Sequence, residues 1–211
     1  MTISLGRARE LLRPIPRAPV VYDLEEVEDI FGVMYTPEQR TALADIPFAE
    51  DVLTACAGTH MLFPSYPMSL LEIHVKHAVH FYTKTGGWYA EDKEHFSRTP
   101  LPIRWYLLRM EPVPGSYAKT WEEQQSLLVS NETVPSAAAV AFATMLHFRA
   151  TKQRLFEHAY VQTSDIDAGG YRVCVGGFVS DGFYVSSLWD VYRHGTLGLS
   201  SEVLSLAVLK P

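Results

Sequence analysis

The stretch AYVQTSDIDAGGYRVCVGGFVSDGFYVSSLW, residues 159–189, decides how this chain folds. Within it, Asp167-Ala168-Gly169-Gly170 and Asp181-Gly182 separate three runs rich in Tyr, Val and Phe. Glycine reaches the positive φ of tight hairpin turns without steric cost, and Asp-Gly between β-rich runs is a strong hairpin signal. The expectation is an antiparallel meander near the C-terminus. Cys174, between Val173 and Val175, belongs to a core strand where burial would raise its pKa and quench its reactivity. Gly176-Gly177 lacks the spacing of a dinucleotide or phosphate loop, so no cofactor is expected there. Close strand packing or a bulge is its expected use.

Just upstream, Val134-Pro135-Ser136 opens a helix through about residue 151. Of the residues from 137 to 150 only Thr144, His147 and Arg149 are polar. A helix apolar nearly all round is buried, and this one is too short to span a membrane. Further upstream, Ser116 or Thr120 caps a helix through Leu128, after a turn at Pro112 to Gly115. Residues 103–110 form an apolar run bounded by prolines and read as a strand. The first quarter reads as helices at 23–31, at 36–46 and at 49–57. Thr36-Pro37-Glu38-Gln39 is a helix start with an N-cap, a proline at the first position and a capping box. Gly58 is the natural stop of the third helix. Thr59 to Phe63 is a short strand.

Residues 70–82 alternate in places. Ile73, Val75, His77, Val79 and Phe81 fall on one face of an expected strand, with Glu72, His74, Lys76 and His80 on the other. The last apolar residues, Val203 to Leu209, suit one more strand or a docked segment, because full burial of such side chains is worth about 1.5–3 kcal/mol each.

A chain of 211 residues with 47% hydrophobic and 20% charged side chains suits a single globular domain. Its radius of gyration would be about 17 Å. Residues 1–20 form a basic, proline-containing N-terminal arm, with Arg7, Arg9, Arg13 and Arg17 against Glu10; residues 21–211 form the domain. The net charge of −6 is spread evenly, with 11 basic and 14 acidic residues in 1–110 and 7 and 10 in 111–211. Without a basic face, binding to a phosphate backbone lacks electrostatic support. There is no secretory apolar core at the start and no apolar run of membrane-spanning length. The two cysteines, Cys56 and Cys174, make no disulfide framework, so a cytoplasmic, reducing setting is the default.

The candidate chemistry is sparse. His74, His77 and His80 are spaced by three, and neutral imidazoles are good zinc or iron ligands. As a strand, His77 would face away from the other two, which would lie about 20 Å apart. As a helix, the three would fan over about 120° and roughly 9 Å of rise. Solvated histidines are the plainer expectation. Cys56, His60, His74 and His77 have the ligand count of a structural zinc site but no common spacing. Asp165-Ile166-Asp167-Ala168-Gly169-Gly170 imitates the start of a calcium loop, yet Gly169 and Gly176 occupy positions that need oxygen ligands. Pairings of Cys56 or Cys174 with a histidine, or of Ser164 with His158, lack a nucleophile elbow.

Arg104-Trp105-Tyr106-Leu107-Leu108-Arg109, Pro112-Val113-Pro114-Gly115-Ser116, Glu122-Glu123-Gln124-Gln125, Arg154-Leu155-Phe156 and Ser164-Asp165-Ile166-Asp167 resemble a pattern in uncharacterised predicted bacterial proteins. The resemblance covers roughly residues 100–200 and implies a bacterial or phage-like origin. It supplies no activity and no functional residue.

The expected fold is therefore one α+β domain, an antiparallel sheet with a C-terminal β-meander packed against helices. The expected function is a non-catalytic interaction or accessory protein, with a protein partner or homo-oligomer. The alternative is a metal-dependent hydrolase using members of His60, His74, His77 and His80 with Asp165 or Asp167; weak nucleic-acid binding comes third. A deep pocket lined by two or more convergent ionisable groups would count against a pure interaction module.

Overall fold

The computed structural model of the chain describes residues 3–12 and 20–205. Its helices are α1 (Leu5–Leu11), α2 (Leu24–Phe31), α3 (Pro37–Ala42), α4 (Glu50–Ala55), α5 (Leu70–His77), α6 (Trp121–Gln125) and α7 (Ala137–Thr151). Its strands are β1 (His60–Pro64), β2 (Trp105–Arg109), β3 (Glu132–Thr133), β4 (Tyr160–Ile166), β5 (Arg172–Val179), β6 (Gly182–Leu188), β7 (Leu197–Leu199) and β8 (Glu202–Val203). They make an α+β fold with two four-stranded sheets, ordered β1-β2-β8-β3 and β6-β5-β4-β7.

The meander is β4, β5 and β6, paired antiparallel. Its first turn closes because Asp167 Oδ1 accepts from the Gly169 and Tyr171 amides while Gly170 takes φ +86°. Gly176 has φ +135°, and a Cβ there would meet the Ala159 carbonyl oxygen at 2.2 Å, so the close approach of β5 to the residue before β4 requires glycine. The short β7, which local propensity does not announce, runs parallel to β4.

Helix α7 joins the two sheets. Every residue from Ala137 to His147 is buried. Phe142 stacks on Phe31 at 4.2 Å and on Phe63 of β1 at 5.8 Å, while Phe148 meets Phe178 of β5 at 4.9 Å. One hydrophobic core runs through both sheets. Capping boxes start α2 (Asp23 with Glu26), α3 (Thr36 with Gln39) and α6 (Thr120 with Glu123).

Residues 70–82 correct the sequence reading. They are not a strand but α5 followed by a 3-10 turn, Ala78–His80. Ser69 caps the helix and Glu72 completes the box, with Ser69 N to Glu72 Oε2 at 2.7 Å. Leu70, Ile73, His74 and His77 then face the core at helical spacing, leaving Val75 and Val79 exposed. In the N-terminal stretch, Ala8 and Leu12 are buried, Arg7 forks onto Glu50 and Arg9 reaches Asp23. Arg13 and Arg17, and the apolar tail from residue 206 on, lie outside the described residues.

Candidate functional site

A cleft of about 680 Å³ opens at the seam between the two sheets. Five pieces of chain build it, Val20 from the segment beside β1 being one. Gly58 and Thr59 enter β1; Arg109, Met110 and Glu111 leave β2 into the Pro112–Tyr117 turn; His147 sits in the last turns of α7; and Gln153 to Ala159 lead from α7 into β4. The loop after α7 is held in uncommon backbone. Lys152 takes φ +65° as the left-handed cap of α7, and Phe156 takes φ +52°. A bulky aromatic in the left-handed region is strained by about 1–3 kcal/mol and persists only where its surroundings impose it. Here the Phe156 carbonyl accepts from the Phe178 and Ala159 amides.

His147 is the one imidazole that α7 carries into the cleft, and it is 3% exposed. Its Nδ1 lies 2.8 Å from the hydroxyl of Tyr22, itself fully buried. Tyr22 is placed by residues 20–22 running beside β1: the Leu62 amide donates to the Val20 carbonyl at 2.7 Å, and the Tyr22 amide donates to the Leu62 carbonyl at 2.9 Å. Burial raises the Tyr22 phenol pKa and lowers that of His147, while a hydrogen bond to the Gln153 side chain opposes the latter.

Two guanidiniums line the walls. Arg109 Nη2 is 3.5 Å from Glu132 Oε1, and Arg154 Nη1 is 3.7 Å from Glu157 Oε1. Arg154 also lies over the rings of Phe148 and Phe178, at 5.3 and 5.5 Å. Each keeps a buried Nε without a hydrogen-bond partner among the described residues. Glu111, Glu157 and His158 complete the ionisable lining.

The histidine and aspartate candidates do not gather here. His60 begins β1, its Nδ1 2.8 Å from Thr59 Oγ1 and its Nε2 3.9 Å from Glu132. Burial, aided by Arg109, depresses its pKa to about 4. His74 packs on Phe81 and Tyr89, and His77 on Phe31. Both are buried, against the expectation of solvated histidines. His80 packs against Phe148. Asp165 accepts from the Ala137 amide at 2.7 Å, at the start of α7, and burial raises its pKa. Asp167 is occupied by its turn. Among the described residues no three His, Cys, Asp or Glu side chains lie close enough together to hold a metal ion.

No family model matches the chain, and neither the curated proteins nor the solved structures hold a significant match to it.

The thiols are quiet: burial pushes Cys56 up to about 11 and Cys174 up to about 12. Among the four tryptophans, Trp105 is buried and donates to the Leu43 carbonyl, whereas Trp189 is exposed and packs edge-on against Tyr171. No helix among the described residues is long and apolar enough to cross a membrane. Sequence reasoning passed over Tyr22, Arg109, His147 and Arg154 as site residues. The signal for His147 was present, since an imidazole in an otherwise apolar buried helix needs a polar partner.

Proposed function

We propose that this chain is a non-catalytic binding module whose ligand is a small organic molecule held in the cleft beside His147. The cleft carries the reading. Its volume, about 680 Å³, falls in the range of roughly 300–1,000 Å³ typical of small-molecule sites. Leu155, Phe156 and Tyr117 offer apolar surface, and a few ionisable groups converge on it.

Outside the cleft, the thiols and His60 offer no activated nucleophile to it. A thiol with a pKa near 11 or 12 holds almost no thiolate at neutral pH. Thr59 touches an imidazole, but one with a pKa of about 4 is a weak proton acceptor for an alcohol. Two buried free thiols also suit a reducing, cytoplasmic setting.

The reading is tested by a fragment library screened on isotope-labelled protein, with amide shifts mapped along the chain. Saturable shifts gathered at residues 58–59, 109–117 and 153–159 are the expected result. Hits scattered elsewhere, on the exposed face around Trp189 for instance, would defeat it.

A further inference from the structure

We infer that the cleft accepts a ligand carboxylate, and that Tyr22 prepares the neutral donor that reads it; this rests on the small-molecule reading above. The Tyr22 hydroxyl has one hydrogen-bond partner among the described residues, His147 Nδ1 at 2.8 Å. A fully buried phenol whose pKa is raised keeps its proton, and a buried hydroxyl proton needs an acceptor. That acceptor is Nδ1. In a neutral imidazole the remaining proton then sits on Nε2, which becomes a donor. Burial keeps the ring neutral, so the floor of the cleft offers an N–H without a charge.

The walls add the Arg109 and Arg154 guanidiniums. A guanidinium donates only, and planar forked donors match a planar carboxylate. The acids limit the charge of the guest. Glu111 and Glu157 line the same cleft, and Glu132 stands behind Arg109. A dianionic phosphate would face Glu111 and Glu157, whereas a monoanionic carboxylate draws on the same donors with less repulsion. Gln153, exposed at the mouth, is the side chain that would yield its place at His147.

The test titrates the intact chain with benzoate and hexanoate, with benzamide and hexanamide, and with phenyl phosphate, following histidine ring nitrogens by NMR. In the free protein His147 should show the Nε2–H tautomer. The carboxylates should bind about tenfold or more tightly than the amides and shift the Nε2 signal, as charge-assisted hydrogen bonds predict. Arg154→Gln, at a partly exposed position, should erase most of the carboxylate-over-amide preference. Tyr22→Phe should mix the tautomers and weaken carboxylate binding. Amides binding as well as carboxylates would overturn the carboxylate assignment and leave the cleft reading standing. Phenyl phosphate binding more tightly than benzoate would overturn it too. An Nδ1–H tautomer in the wild type, measurable even if Tyr22→Phe fails to fold, would remove the role of Tyr22. No binding by any probe would count against the small-molecule reading itself, and the inference would fall with it.

Discussion

The buried histidines meet the cost of an imidazole out of water in more than one way. His147 lies 2.8 Å from the Tyr22 hydroxyl, His60 leans on Thr59, and His77 lies edge-on against Phe31. Burial depresses His60 and His77 from 6.5 to about 4, with Arg109 adding to the effect on the first and Arg149, His80 and Lys76 on the second. Between pH 6.5 and 4 the unfolded chain therefore binds more protons than the folded one, and stability falls as pH falls through that window. Above pH 6.5 the contribution is complete. Asp165 and Glu202 act oppositely, because burial raises their pKa values and the folded state takes up their protons first, which softens the loss at the acidic end. Thermal melts should show the midpoint dropping from pH 7 to pH 5. In His77→Leu the slope should flatten, since one of the titrating groups is gone; an unchanged slope would show that His77 takes up its proton in the fold as readily as in the unfolded chain.

At the level of elements, α5 shows how one pattern can satisfy two periods. Ile73, Val75, His77, Val79 and Phe81 alternate as a strand would, while Leu70, Ile73, His74 and His77 recur as a helix would. Ser69-x-x-Glu72 was the arbiter, because a capping box satisfies the free amides that a helix start exposes. Two substitutions separate the alternatives. Ser69→Ala should cost about 1 kcal/mol through the lost cap. Val75→Lys should change stability by no more than about 0.5 kcal/mol, because that side chain stands in solvent. A large loss at Val75 in urea unfolding would restore the strand reading. The same reasoning succeeded at α3 and α7, where Thr36 and Ser136 cap as their sequences imply.

For the molecule as a whole, the first sheet depends on its last residues. Strand β8 lies between β2 and β3, with Val203 opposite Leu107 on one side and Glu132 on the other. Glu202 grips Arg104 through both carboxylate oxygens, at 2.8 and 2.7 Å. Deleting residues 203–211 takes Val203 out of the strand that joins β2 to β3 and leaves Glu202 at the chain end. Loss of Val203 burial alone is worth about 1.5–3 kcal/mol, which at this chain length lowers the melting temperature by roughly 5–10 °C. Calorimetry of the truncated chain gives the answer. A soluble monomer that melts with the wild type would mean that β8 contributes nothing.

By itself the sequence determined what depends on neighbours along the chain. The turns at 167–170 and 181–182, the caps at Thr36 and Ser136 and the buried character of α7 are all local matters of backbone freedom, orphan amides and apolar surface. The division into two sheets, the parallel seat of β7 and the cleft were decided by the tertiary structure. Tyr22 and His147 are 125 residues apart, and Arg109 and Arg154 stand on different elements. No periodicity connects such positions. They meet because α7 must bury its surface against both sheets at once, and where its end leaves that core the chain has to open.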